Sequence, residues 1–383
     1  MKNELIRVSA LAYGGDGVGR GADGKVTLIP GALPGELAEA ETIQEKKRFR
    51  RCRLVRVLEA SPDRIEPECP YFAAGCPGCA YLHCAYSAEL QAKQRQLHDF
   101  LVRPGLLPES ELLPPFGAPQ RFGLRNKLVM HVRDGVRGYI GADNRTLIPV
   151  ARCPLARPEI NALLAATPPA GDRETFRYTA SDGALRVTAK TPILTETLPG
   201  YGDFKVAADG FFQTDIPVAA ELVRRAVVRI AEAAPPRLVE LHCGVGVFGI
   251  AALENLPNLT AFGVEISASA VTNARINAAA HGVADRVEFV AGDAGRLLRR
   301  AGACRDAVLL VDPPRTGLDA PTAAAILRAA PRRIIYVSCA PDTLARDVAR
   351  LGGGYRMTRA GLLDMFPGTV HFEVMAELCR SAD

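Results

Sequence analysis

The stretch spanning residues 307–347 constrains the fold most tightly. It reads A-V-L-L-V-D-P-P-R-T-G-L, then a helical spacer, then I-I-Y-V-S-C-A-P-D-T-L-A-R-D. Two short β-branched and aliphatic runs, each closed by a polar turn-forming cluster, predict neighbouring strands of a parallel sheet. Upstream the alternation continues. A helix over 216–233 leads into R-L-V-E-L-H-C-G-V-G-V-F-G, a second helix into A-F-G-V-E-I-S, and a third into V-E-F-V-A-G-D-A. Residues 201–383 therefore predict an α/β domain with a doubly wound, Rossmann-like sheet. Such sheets bind ligands at the carboxyl ends of their strands. Here those ends deliver Asp312, Pro313, Pro314 and Arg315 from one strand, and Ser338, Cys339 and Pro341 from the next.

Residues 1–60 have a different rhythm. Short alternating runs are separated by G-G-D-G-V-G-R and G-A-L-P-G-E, which predicts a small β-barrel with glycine turns. Lys46, Lys47, Arg48, Arg50, Arg51 and Arg53 crowd around Phe49 with no acid among them. A solvated strand face is the ordinary reading of such a run. Six cations around one aromatic ring also suit a surface that follows a nucleic-acid backbone.

Residues 61–200 predict a small central α+β domain, with strands over 121–155 and an amphipathic helix over 86–103. Leu90, Leu97, Phe100 and Leu101 share one side of that helix, with Lys93, Gln94 and Arg95 elsewhere. Ahead of it, Cys69, Cys76 and Cys79 fall in a Pro/Gly-rich loop. The chain has 10 cysteines, no apolar run of the roughly 18 residues a membrane span needs, and no signal-like apolar core in M-K-N-E-L-I-R-V. A cytoplasmic protein with reduced thiols is expected, so clustered cysteines point to metal or catalysis before disulfides. Three local sulfurs need a fourth ligand, from His83, Cys84 or the distant Cys153. Without a second close pair the pattern is more like an iron–sulfur site than a zinc site.

Gly244, Gly246 and Gly249 satisfy G-x-G-x-x-G, with Glu265 about 20 residues on, placed to accept ribose hydroxyls. A nicotinamide cofactor and S-adenosylmethionine both fit that much. A dehydrogenase has no use for D-P-P-R after the fourth strand and a thiol after the fifth. Asp293 ends the third strand, where it can meet an adenine amino group. These residues favour S-adenosylmethionine. Cys339 beside D-P-P-R then suggests methylation at carbon. Thiolate attack on C6 of uracil makes C5 nucleophilic, and a base must later remove the C5 proton. T-V-H-F-E supplies candidates in His371 and Glu373, read as alternate positions on one strand face. Both could equally be ordinary strand polars.

Together these residues resemble the RNA 5-methyluridine methyltransferase family, in particular the iron–sulfur branch acting on 23S ribosomal RNA. The resemblance runs over nearly the whole chain. It implies that the first segment is a TRAM domain, an OB-like RNA-binding barrel. It implies a 4Fe–4S cluster held by Cys69, Cys76, Cys79 and Cys153, leaving Cys84 out. F-F-Q implies that Gln213 contacts S-adenosylmethionine, in a site also lined by His242, Glu265, Asp293 and Asp312. S-C-A-P and T-V-H-F-E imply Cys339 as nucleophile and Glu373 as base. The alternatives are transfer RNA as substrate, or an RNA-binding iron–sulfur protein without turnover. No obligate protein partner is implied, and a monomer is expected. Three departures from the family pattern stand out. Six residues rather than five separate the first two cluster cysteines, C-A-P replaces C-N-P, and E-L-H-C-G puts His242 where an aromatic ring is usual.

Overall fold

A computed structural model describes residues 3–301 and 304–381. Strands β1 (Asn3–Leu11), β2 (Gly17–Arg20), β3 (Val26–Ile29), β4 (Leu37–Glu45) and β5 (Phe49–Glu59) close into a barrel of order β1-β2-β3-β5-β4. The period-two pattern explains its interior. Ile6 and Val8 of β1 turn inward onto Ile29, Ala38, Ala40 and Cys52, while Leu5 and Arg7 turn out. The basic run is less open than its sequence suggests. Arg50 pairs with Glu4 (2.9 Å) and Asp23, Arg51 with Asp16 (3.0 Å), and Arg53 with Glu41. Only Lys46, Lys47 and Arg48, exposed on the β4–β5 turn, carry no ion pair among the described residues.

Next come α1 (Pro70–Ala73), α2 (Tyr86–Leu101), β6 (Lys127–Arg133), β7 (Val136–Ile140), β8 (Leu147–Pro149), α3 (Pro158–Ala166), β9 (Arg173–Thr179) and β10 (Gly183–Arg186). The strands form an antiparallel sheet of order β10-β9-β6-β7-β8, and α3 packs Ile160 and Leu164 onto Leu128, Met130 and Phe176. Helix α2 packs elsewhere. Its Leu97 and Leu101 enter the same core as Val311, Tyr336 and Phe372 of the C-terminal sheet.

The buried face of α2 also differs from the expected one, because Lys93 lies inside with no exposed surface. It is held by Glu89 (2.8 Å), Asp364 (2.8 Å) and the Phe366 carbonyl (3.2 Å). Arg121 completes the set through Glu89 (2.9 Å), and the Tyr86 hydroxyl donates to Asp364 (3.0 Å). A lysine is tolerated there because two carboxylates compensate its charge.

The hairpin β11 (Leu194–Leu198) and β12 (Gly202–Val206) leads to α4 (Ile216–Ala233). Asp215 caps that helix by accepting from the Val218 amide (3.2 Å), with proline in its first turn. Its Val218, Leu222, Val223, Ala226, Val227 and Ile230 form the buried stripe. Then follow β13 (Arg237–Leu241), α5 (Val247–Asn255), β14 (Thr260–Glu265), α6 (Ala268–Ala280), β15 (Val287–Ala291), α7 (Ala294–Leu297), β16 (Val308–Val311), α8 (Ala320–Ala329), β17 (Arg333–Ser338), α9 (Pro341–Leu351), β18 (Tyr355–Leu363) and β19 (Glu373–Arg380). The sheet order is β15-β14-β13-β16-β17-β19-β18. Five strands are parallel, whereas β19 runs antiparallel to both β17 and β18. The outer edge at β18 is covered by the chain after α2, where the Leu113 and Phe116 amides donate to Ala360 and Leu362 (both 2.8 Å). No described helix is long and apolar enough to cross a membrane.

Candidate active site

The carboxyl ends of the parallel strands open onto a cavity of ≈ 830 Å³. Its lining includes Gln213, His242, Glu265, Asp293 and Asp312, anticipated for the cofactor, and Cys339 and Glu373, anticipated for the chemistry, but not His371.

Glycines build the floor. Gly244 and Gly246 have φ of 54° and 86°, and Gly246 caps α5. A Cβ on Gly246 would meet the Phe289 ring at 2.7 Å, so only glycine lets the turn lie this close to β15. Glu265 is locked in place by the Gly244 amide (3.1 Å) and the Ser267 amide (2.9 Å), one on each carboxylate oxygen. Asp293 caps α7 by accepting from the Arg296 amide (2.8 Å), which occupies one of its oxygens and leaves the other for a ligand. His242 holds a left-handed φ of 62°, and burial lowers its pKa so that the imidazole stays neutral. The Gln213 carbonyl oxygen of the side chain is buried with no partner among the described residues, while its backbone carbonyl accepts from Asn126 (3.1 Å). An orphaned acceptor inside a cavity is a group waiting for a donor.

Register brings the thiol and the carboxylate together. In the antiparallel β17–β19 pair Ser338 lies opposite Val374, so the next residue on each strand brings Cys339 level with Glu373. Around Cys339 the backbone is held without an amide side chain at position 340. The Ser338 hydroxyl donates to the Ala340 carbonyl (3.0 Å) and accepts from its amide (3.2 Å), and Thr343 also donates to that carbonyl (3.0 Å).

The electrostatics are those of buried acids with no cation in hydrogen-bond contact among the described residues. Burial, with Asp312 nearby, pushes Glu373 up to about 8, against the opposing pull of Arg315. Burial, with Glu265, lifts Asp312 to about 7. Burial and the neighbouring Glu373 raise the Cys339 thiol to about 11, again opposed by Arg315. Glu240 of β13 was not singled out from the sequence. It is buried beneath the glycine turn, accepts from the Gly249 amide (3.0 Å), and is pushed up to about 8 by burial. Its signal was legible: one acid inside R-L-V-E-L, a strand buried on both faces. His371 departs from expectation, because β19 begins only at Glu373 and leaves His371 in the preceding loop. Burial, then Arg315, holds its pKa down to about 4.

A second, much smaller cavity of ≈ 20 Å³ lies between α1 and the central sheet. Cys69, Cys76, Cys79 and Cys153 all line it, with Tyr71, Tyr139 and Arg125, and none is in a disulfide. His83 and Cys84 stand apart from it. As the side chains stand, no group of three or more His, Cys, Asp or Glu among the described residues could hold a metal ion.

A sequence profile of the tRNA (uracil-5-)-methyltransferase family matches residues 186–380. A 23S rRNA (uracil(1939)-C(5))-methyltransferase of Dechloromonas aromatica is 31% identical, over 97% of this chain and 98% of that one. An uncharacterized RNA methyltransferase of Gloeobacter violaceus is 30% identical, over 98% of this chain and 96% of its own. Among solved structures, the Pyrococcus abyssi tRNA (uracil-54, C5)-methyltransferase in complex with S-adenosyl-L-homocysteine has the same fold. Its TM-score is 0.74 at 23% identity, covering 98% of this chain and 100% of that one. The chain belongs to the tRNA (uracil-5-)-methyltransferase family, enzymes that methylate C5 of uracil in RNA.

Proposed function

We propose that this enzyme transfers a methyl group from S-adenosylmethionine to C5 of one uridine in 23S ribosomal RNA, through a covalent adduct between Cys339 and C6. The observation that carries the chemistry is the register match of Cys339 and Glu373 at the rim of a cavity with a nucleoside-sized floor. In the cavity, Glu265 takes the ribose hydroxyls on its free lone pairs, Asp293 faces the adenine amino group, and the Gln213 oxygen gains its missing donor. His242 and Asp312 line the remainder. When bound, S-adenosylmethionine supplies the methyl group on a cationic sulfonium, whose charge favours the ionised forms of the acids around it.

Cys339, as thiolate, adds to C6 of the uracil, and the ring electrons move to C5 as an enolate. Once C5 carries the methyl group, Glu373 removes the C5 proton. The C–H electrons restore the C5–C6 double bond, and the thiolate leaves from C6. Arg315 is the cation that favours both ionised forms. The target uridine must leave its stack to reach so enclosed a thiol, so a loop position is expected. Ribosomal rather than transfer RNA is favoured by the full-length likeness to a 23S rRNA enzyme.

Four thiols around one cavity, with no carboxylate or imidazole in its lining, form the donor set of an iron–sulfur cluster, and a 4Fe–4S cluster on Cys69, Cys76, Cys79 and Cys153 is part of the proposal. The three-part division at residues 60 and 200, with the barrel as a TRAM-type RNA-binding module, belongs to the same reading.

Incubation with labelled S-adenosylmethionine and 23S or transfer RNA tests the reading. Transfer to 23S RNA, lost in Cys339→Ala with S-adenosylmethionine binding retained, is expected. Transfer to transfer RNA alone overturns the substrate, and retained transfer by Cys339→Ala overturns the adduct. Iron and acid-labile sulfide in anaerobically purified protein check the cluster.

A further inference from the structure

Tyr13 sits in the tight loop between β1 and β2 of the barrel, yet its ring packs on the catalytic half of the molecule. It makes edge-to-face contacts with Phe100 of α2 at 5.3 Å and with Phe372 at 6.4 Å. Phe372 is fully buried and immediately precedes Glu373. The loop is pinned where it crosses. Gln96 donates to the Ala12 carbonyl (3.0 Å), the Ala12 amide donates to Asp16 (2.9 Å), and a Cβ on Gly15 would lie 3.0 Å from Ala80.

Although held on two sides, Tyr13 keeps 36% of its surface open to solvent. Its hydroxyl has no hydrogen-bond partner among the described residues. Burial, then Asp342, raises it to about 12, so it stays a neutral phenol; Arg315 and Cys339 are the next groups that act on it. A stray surface tyrosine would explain the exposure alone. It would not explain a pinned loop whose one aromatic side chain packs against Phe372, the residue immediately before Glu373.

We propose that the barrel completes the active site, with Tyr13 as a substrate-binding residue that stacks on a nucleobase of the RNA at the mouth of the Cys339 cleft. This rests on the functional reading above and adds to it a role for one barrel side chain in the cleft. A uridine drawn out of its helix loses its stacking neighbours, and an exposed aromatic plane replaces part of what is lost. Tyrosine suits the task because its ring presents a large flat area with only two side-chain torsions to fix. Phe100 and Phe372 stiffen the ring before RNA arrives, which lowers the ordering cost of binding.

The test uses the full chain as wild type, Tyr13→Ala and Tyr13→Phe, with a fluorescein-labelled RNA hairpin carrying uridines in its loop. RNA affinity is read by anisotropy, methyl transfer is measured on the same RNA, and S-adenosylmethionine affinity and the thermal midpoint serve as controls. Tyr13→Ala is expected to weaken RNA binding about five- to a hundredfold with both controls unchanged, and Tyr13→Phe to restore it. RNA affinity unchanged in Tyr13→Ala overturns the proposal. So does a loss of RNA binding that comes with equal losses of cofactor binding and thermal midpoint, since that marks a structural strut. If wild type binds the hairpin but transfers no methyl group to any RNA, the functional reading falls, and anisotropy still decides the role of Tyr13.

Discussion

Two sets of buried carboxylates, one tying α2 to the loop 364–372 and one at the cavity, differ in whether a cation is bonded to them. Glu89 and Asp364 share Lys93, with Arg121 added on Glu89. Glu240, Asp312 and Glu373 have no cation bonded to them, and burial pushes their pKa values up to about 8, 7 and 8. The paired set ties α2 to the loop: Glu89 accepts from the Gly368 amide (2.6 Å), and Lys93 reaches the Phe366 carbonyl. The unpaired set lies at or beneath the cavity. Paired charges hold the loop, and unpaired ones are left able to exchange protons near neutral pH.

The contrast is tested most sharply at Glu373. Glu373→Gln should cut turnover by about 10²- to 10⁴-fold and leave protein–RNA adduct accumulating, visible as a shifted band on a denaturing gel. Normal turnover without adduct would move the base elsewhere. In wild type the same group predicts the pH profile. Glu373 works unprotonated, so kcat/KM for RNA should rise with pH through about 8. On the paired side, Lys93→Met strands the buried Asp364 and leaves Glu89 to Arg121 alone, and should cost about 3–5 kcal/mol in denaturant unfolding; a cost under about 1 kcal/mol would show that water already solvates the cluster.

A smaller effect is expected at Glu240. Its folded pKa is raised, so its contribution to stability is complete below the unfolded value near 4.3 and declines as pH rises through about 8. Glu240→Gln has no proton to lose, and its unfolding free energy should be flatter over that window than that of wild type. Smallest of all is Arg53→Ala. The exposed pair with Glu41 should be worth no more than about 1 kcal/mol.

Much of this site was legible in the sequence because its residues follow strand ends, and strand ends were marked by turns. D-P-P-R, S-C-A-P and the glycine turn each announced a position at the carboxyl edge, and the five cofactor residues, Cys339 and Glu373 all line one cavity. Partners contributed from distant segments were not legible. Lys93 reads as part of a polar helix face until Asp364, far along the chain, meets it. Arg50, Arg51 and Arg53 read as free cations because their acids lie on other strands or in the turns between them. His371 was assigned to a strand by its alternation with Glu373, but period-two spacing persists in the extended loop before β19 and does not mark where the ladder begins. Glu240 is the reverse case: its acid inside R-L-V-E-L, a strand buried on both faces, is legible in the sequence itself.

The reversed strand has a consequence for assembly. β19 follows β18 in the chain yet lies between β17 and β18. Until it inserts, β17 and β18 each present an open edge, and the glycine turn, Glu265 and Asp312 can form beside a thiol that has no base. The β17–β19 pairing closes over the intervening helix and strand, and such non-local pairing is slow compared with helix formation. Completing the sheet and bringing the base Glu373 level with the Cys339 thiol are therefore one event, so a chain without β19 in place lacks the group that finishes the elimination.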